Sequence, residues 1–363
     1  MKIKKPLAFG LVAGFALSAF AVATPAFADP VAGSYVAVGS DTLDASMNAL
    51  TNGTKATGST VRITASGAAV GSFDAFGSAT IQTKPSGPYF TRPNGSGAGV
   101  NALIASVQGA TFGSPAVNIA NQVDIARSSG GPGSNASATG KLVYVPYARD
   151  AVAYAYYGPA ADLGSLTTAQ LKDLYTNGPT TIGGTLVTPL IPQASSGTRK
   201  FFLSAIGVST DATCPISACT TSTLPENDAS VLTAGTIIPF SAANWIAQAN
   251  GVAQNTIPAS GNVVLGAPNG VVAFTGTAPS LVPSATFYNA APFGRDTYLV
   301  VEYARVTSGD SKYDAGLAGL VDSTVATSLT NFGTAPSQPG AVKKKYGFLA
   351  PSSTTPLRAY PNI

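Results

Sequence analysis

The 363-residue chain carries 20 Lys+Arg and 16 Asp+Glu, so 10% of its side chains are charged, against 45% hydrophobic residues, 39 Gly and 26 Pro. That balance excludes a disordered chain, a coiled coil and long solvated helices, and describes a loop-rich, packed globular protein. Histidine is absent and Glu226 and Glu302 are the only glutamates, which removes Ser-His-Asp and Cys-His catalysis and His-ligated zinc, disfavours paired-carboxylate hydrolysis, and points away from an enzyme.

Lys2, Lys4 and Lys5 precede an apolar run from Pro6 to Val22, and Ala26-Phe27-Ala28 supplies a small-x-small cleavage site. This is the pattern of a secretory signal peptide over residues 1–28. A membrane anchor, the competing reading, fits the length and flanks poorly. Without those residues 17 basic and 16 acidic side chains remain, a net charge of +1. Such a balance suggests no nucleic-acid or anionic-membrane partner. No cysteine stands directly after the cleavage site and no later apolar stretch reaches spanning length. The expectation is a secreted, extracellular or cell-envelope protein with neither lipid anchor nor membrane span.

Short apolar runs then alternate with amphipathic segments, the mark of an α/β architecture. Tyr35–Val38 reads as a strand, Thr42–Leu50 as a helix and Val61–Ala65 as a second strand. Gly95–Gly99 opens a helix with Val100, Leu103, Ile104 and Val107 at helical spacing. Gln122–Ala126 reads as a strand, and the Gly/Ser/Asn-rich stretch Gly130–Gly140 as a loop or domain boundary. A strand pair begins at Leu142, interrupted by Arg149-Asp150. Thr167 and Gln170 have capping-box spacing before Leu171 and Leu174. Strands follow at Leu186–Ile191, Thr236–Phe240 and Tyr298–Tyr303, with helices after Ser196 and Ser241. Cys214 and Cys219 read as a small disulfide loop rather than half of a metal site, since the compartment is oxidising and no other Cys or His exists. No metal and no cofactor is expected. Lys343-Lys344-Lys345, the one charge run, reads as a solvated surface segment.

Four segments share one layout, a tight Ser/Thr/Gly turn that can open into a helix. They are Gly39-Ser40-Asp41-Thr42, Gly95-Ser96-Gly97-Ala98-Gly99, Arg127-Ser128-Ser129-Gly130 and Ser195-Ser196-Gly197-Thr198-Arg199. Each can offer unpaired backbone N–H groups and a hydroxyl, and a helix N-terminus favours an anion. Arg127 and Arg199 add guanidinium forks that suit a tetrahedral oxyanion. Any one turn alone is an ordinary N-cap, but four together, two with arginine, form an oxyanion pattern. The glycines at 95–99 have the wrong spacing and context for a dinucleotide fingerprint, and no Gly-Lys-Ser/Thr P-loop occurs.

In order, VGSDTL, RPNGSGAG, IARSSGGP, LVYVPYARDAVAY, LTTAQLKDLYTNG, SSGTRKFF and GRDTYLVV resemble the phosphate-binding proteins of ABC importers, in particular the PstS-like substrate-binding proteins of actinobacteria. The resemblance runs from Tyr35 to Val301. It implies a two-lobe type II periplasmic-binding-protein fold, with mixed sheets flanked by helices and an anion cleft between the lobes. Lobe one is then residues 29–139 plus 288–363 and lobe two 140–287, with crossings near Gly140 and Pro292. Thr42 matches the family's first anion-contacting threonine, Ser96 the serine of its second turn, and Ser196, Gly197 and Thr198 its SGT donors. Two departures bear on selectivity. Ser129 stands where the family places a carboxylate, and Pro192 where it often places an arginine.

The resemblance therefore implies a monomeric exported solute-binding protein that captures inorganic phosphate or a related oxyanion for an ABC permease. Its ligand-binding residues would be Ser40, Asp41, Thr42, Gly95, Ser96, Gly97, Arg127, Ser128, Ser129, Ser196, Gly197, Thr198 and Arg199. With Ser129 in the carboxylate's place, Asp41 is the nearest candidate to accept a proton from phosphate, which sulfate lacks. The alternative function is a secreted surface or matrix protein that keeps this fold without a transport role. A phosphate-ester hydrolase is a third reading, disfavoured by the absence of two-metal spacing.

Overall fold

The computed structural model describes residues 29–30, 33–208 and 222–361. The expected signal peptide and the expected Cys214–Cys219 disulfide lie outside the described residues. Ten strands form one mixed sheet: β1 (Tyr35–Gly39), β2 (Val70–Ser72), β3 (Ile125–Ser128), β4 (Leu142–Tyr157), β5 (Thr180–Ile182), β6 (Thr185–Pro189), β7 (Thr236–Ser241), β8 (Val263–Leu265), β9 (Gly294–Glu302) and β10 (Leu357–Ala359). In space they run β2-β1-β3-β9-β4-β7-β6-β5, with β8 and β10 also paired to β4. β1 lies parallel to β2 and β3, and β6 to β7. Every pairing of β4 or β9 is antiparallel. Helices α1 (Asp44–Asn52), α2 (Ser96–Gln108), α3 (Thr168–Asn177), α4 (Gly197–Ala205) and α5 (Ala242–Ala249) pack against this sheet. The expected capping box is present: the Thr167 hydroxyl accepts the Gln170 N–H and the Gln170 side chain accepts the Thr167 N–H.

β4 is one strand of 16 residues rather than the interrupted pair read from the sequence. Its charged middle does not break it, because β9 runs alongside with Asp150 opposite Arg295 and Arg149 opposite Asp296. Two Arg-Asp dipeptides in antiparallel register give each guanidinium a carboxylate, and strand alternation sends the two pairs to opposite faces. Arg149–Asp296 closes at 3.0 Å and Arg295–Asp150 at 2.8 Å.

The apolar packing changes along this strand. Ala148 and the residues before it pack with Ala37, Leu43, Met47 and Leu299 on one face, and Tyr144 with Val38, Leu103 and Val300 on the other. From Ala151 onward the strand packs with Leu171, Phe202, Phe240 and Ile246. The charged dipeptides therefore sit where two hydrophobic cores meet.

Two expectations change. Residues 61–65 form no strand; Val61 and Ala65 make single bridges to Thr54 and Ala68, and the second strand is β2. Val61, Ile63 and Ala65 are buried in alternation, so the segment has a strand's pattern without a strand's partner. Lys343, expected on the surface, is fully buried while Lys344 and Lys345 are exposed. Its Nζ donates to Tyr147 O at 2.9 Å and Leu329 O at 3.0 Å, over the rings of Tyr147 and Phe332. Burial pushes its pKa well below the ordinary lysine value.

Candidate oxyanion-binding site

The site is built at the ends of β1 and β3 and the starts of α2 and α4. β1 ends in Gly39 at φ 120°, where a Cβ would lie 2.6 Å from Arg127 O. Only glycine lets β1 turn this close to β3. Gly39 O accepts the Gly95 N–H at 3.2 Å, and Gly97 N–H donates to Ser195 O, also at 3.2 Å. Gly95, at φ 122°, would put a Cβ 2.7 Å from Ser195 O. The first, second and fourth turns read from the sequence are thus tied together through backbone that side chains would hold apart.

Their side chains converge. Thr42 Oγ1 lies 3.3 Å from Thr198 Oγ1, and Arg295 Nη2 donates to both, at 3.3 and 2.9 Å. Asp150 holds this guanidinium at Nε (3.1 Å) and Nη2 (2.8 Å). Asp150 is itself held by the Ser241 hydroxyl (2.9 Å) and the Ala243 N–H (3.1 Å) at the start of α5. Ser96 Oγ lies 3.1 Å from Ser129 Oγ and accepts the Ser129 N–H at 3.0 Å. Gly197 fits beside these two hydroxyls; a Cβ there would lie 2.3 Å from Ser129 Oγ and 2.5 Å from Ser96 Oγ. Arg295 Nη1 and Ser40 Oγ are buried with no hydrogen-bond partner in the protein, and buried donors of that kind are costly unless an acceptor meets them.

Two carboxyls flank the cluster. Glu226 Oε2 accepts the Thr198 N–H at 3.1 Å and the Ser196 hydroxyl. Burial alone would raise this carboxyl, but hydrogen bonds from Asp41 and Ser196 and the Arg295 charge hold it below its ordinary value. Asp41 goes the other way: burial and the Glu226 charge push it well above the aspartate range, while its Oδ1 accepts Asn227 Nδ2 at 2.9 Å. The two carboxyls are thus pushed in opposite directions, Asp41 toward holding a proton and Glu226 toward the charged form. Both residues also line a groove of about 1070 Å³, with Asp44, Asp74, Asn227 and Asn244.

The remaining expected residues fall elsewhere. Arg127 is completely buried, and all three guanidinium nitrogens are engaged: Nε with Ser40 O (3.2 Å), Nη1 with Ala37 O (3.4 Å) and Ser72 Oγ (2.7 Å), Nη2 with Phe73 O (2.6 Å) and the Asp44 carboxylate. It ties the first turn to the residues after β2 and presents no fork to an anion. Arg127→Met is expected to cost about 3–5 kcal/mol of stability by stranding the buried carbonyls of Ser40, Ala37 and Phe73 as well as removing the counter-ion of Asp44, read by urea unfolding; a loss below about 1 kcal/mol would mean the network contributes little. Ser128 Oγ turns back to Gly130 O at 2.7 Å. Arg199 Nη1 donates to Pro192 O at 3.2 Å, and its backbone N–H meets the Ser196 cap.

Arg295, Asp150 and Glu226 were missed from sequence. Asn244, whose Nδ2 donates to Thr42 O at 2.9 Å, was missed as well. The signal for the first two was the repeated Arg-Asp dipeptide, 149–150 and 295–296, each beside an apolar run read as a strand. Among the described residues no group of three or more Cys, Asp and Glu could hold a metal ion, and no helix is long and apolar enough to cross a membrane.

No curated protein matches the sequence. Among solved structures the chain is similar to an ABC-type phosphate transport receptor from Vibrio cholerae, at 16% identity and TM-score 0.49 over 87% of this chain and 100% of that one. It is also similar to a human phosphate binding apolipoprotein (16%, TM-score 0.46, 88% and 91% of the two chains) and to PstS from Borrelia burgdorferi (12%, TM-score 0.41, 88% and 99%). A family model described as the PBP superfamily domain matches residues 24–322. That match spans most of the sequence, and the chain belongs to the PBP superfamily.

Proposed function

We propose that the protein is an exported, PstS-like solute-binding protein that captures inorganic phosphate, or a similar tetrahedral oxyanion, and presents it to an ABC permease. One observation carries the reading: Arg295 Nη1 and Ser40 Oγ are buried donors without acceptors, beside the converging hydroxyls of Thr42, Thr198, Ser96 and Ser129. A tetrahedral oxyanion presents acceptors in several directions at once and satisfies such a set. Because Asp150 neutralises Arg295, the ligand is held by oriented dipoles as much as by charge. Of the expected ligand residues, Ser40, Thr42, Ser96, Ser129, Gly197 and Thr198 belong to this set, joined by Arg295.

The lobes divide where the two cores meet, so the crossing on β4 lies at residues 148–151 and the return at the start of β9. The cleft then closes through Thr42–Thr198, Asn244–Thr42 and Asp41–Asn227, and binding shifts an open–closed equilibrium. Calorimetric titration of the exported chain with phosphate and sulfate tests the reading. Saturable 1:1 phosphate binding, with sulfate weaker, is expected. A folded protein that takes up no tetrahedral oxyanion would overturn it.

A further inference from the structure

The cluster just described leaves one arrangement unexplained. The donors at the N-terminus of α4 do not point at free space: Ser196 Oγ–H and Thr198 N–H are both taken by Glu226. Glu226 is 2% exposed, so a carboxylate of the chain itself holds the helix end that the SGT turn would otherwise offer. That fixes Thr198 with its hydroxyl on Thr42 and Arg295. Asp41, from the other side of the groove, is bound to Asn227, the neighbour of Glu226. Two acidic side chains from segments 185 residues apart in sequence thus line one groove beside the oxyanion cluster, Asp41 half-buried and Glu226 buried with its Oε1 unpartnered within the protein.

We propose that Asp41 and Glu226 hold one proton between them across the cleft, that Glu226 positions the SGT turn through it, and that loss of this proton loosens closure and weakens ligand retention as pH rises. With the proton present, Asp41 donates to Glu226 and the pair carries one negative charge, opposed by Arg295. Without it, two carboxylates face each other at the wall of the groove, and with Glu226 buried such like charges repel. Asp44 also faces Asp41; burial raises its carboxyl to about 7 against the pull of Arg127, and Asp74 adds to the rise. Glu226 faces Arg295, Ser196 and Thr198.

The direction with pH follows from proton binding. Folded Asp41 keeps its proton where an unfolded aspartate has released it, so its contribution to stability is complete below the ordinary aspartate range and is lost as pH rises toward the folded value. Glu226, held low, contributes in the opposite sense, and only in acid. Asp44 adds a loss of the same sign that is finished a little above pH 7. The part that belongs to Asp41 is therefore the slope that Asp41→Asn removes.

The ligand half of this inference rests on the oxyanion reading; the proton half does not. The test is accordingly double. Thermal unfolding of the ligand-free full chain is followed from about pH 5 to about pH 9, and phosphate titrations are run at both ends. The wild-type midpoint should fall with pH more steeply than that of Asp41→Asn. Phosphate affinity relative to Asp41→Asn should drop at least about tenfold across the range. Glu226→Gln, which relieves Asp41 of the facing charge, should flatten the same slope and serves if Asp41→Asn folds poorly. Parallel stability profiles, or a variant uniformly weaker at every pH, would overturn the shared proton. A changed slope in a protein that binds no oxyanion would leave the pair standing and remove the proposed ligand. A changed slope with no relative loss of affinity would overturn the coupling to ligand retention.

Discussion

Arg295→Ala is expected to lower phosphate affinity about 10- to 150-fold, since a hydrogen bond to a charged group contributes about 1.5–3 kcal/mol and the guanidinium meets both the Thr42 and the Thr198 hydroxyls. The same change should destabilise the fold by about 3–5 kcal/mol, because Asp150 is left fully buried without its counter-ion. Arg295→Lys separates the two effects. A lysine keeps a charge for Asp150 but loses the fork, so stability should largely return while affinity stays at least about tenfold low. Calorimetry and urea unfolding on both variants check this. If Arg199→Ala abolished binding instead, with Arg295→Ala binding normally, the oxyanion would have to sit elsewhere on the turn.

Gly197→Ala is expected to cost about 5- to 150-fold in phosphate affinity, roughly 1–3 kcal/mol by the usual penalty of overpacking, with little loss of overall stability because the unliganded cleft can open to relieve the clash. The added methyl would lie 2.3 Å from Ser129 Oγ and 2.5 Å from Ser96 Oγ. Hydroxyls can rotate away, but Ser96 would then abandon the Ser129 N–H, and Ser96 Cβ would still be 3.1 Å from the methyl. Gly197 begins α4 with an ordinary backbone conformation, so alanine is not strained there and the helix itself should tolerate it. The damage is confined to the fit across the cleft. Unchanged phosphate binding would show that α4 does not press on Ser96 and Ser129 in the bound protein.

Much of the fold was legible because its elements carry local signals. The capping box at Thr167, the caps at Ser196 and Ser241, and the apolar runs of β1, β4, β7 and β9 depend on neighbours within a few residues. The four turns were legible for the same reason, since glycine and hydroxyl residues before a helix advertise their own geometry. Residues 61–65 show the limit: alternation fits a buried edge of chain as well as a strand, and only the position of β2 separates the two. Lys343 shows another. A run of three lysines has one sequence signature, and the helix phase that turns one of them into the core is set by what packs above it.

The amino-acid sequence by itself determined the α/β architecture, the absence of histidine chemistry and the hydroxyl-rich turns, because composition, periodicity and turn residues act over short range. Tertiary structure alone decided which guanidinium meets the Thr42 and Thr198 hydroxyls. Arg127 and Arg199 lie in the expected turns, yet the first is consumed by carbonyls and Asp44 and the second donates to Pro192. Arg295 comes from a strand almost a hundred residues beyond the SGT turn and reaches Thr198 only because β4 and β9 pair Asp150 with it. The opposite directions in which the Asp41 and Glu226 carboxyls are pushed are decided in the same way. Charge and protonation answer to burial and to partners brought in from far along the chain, and no local pattern records them.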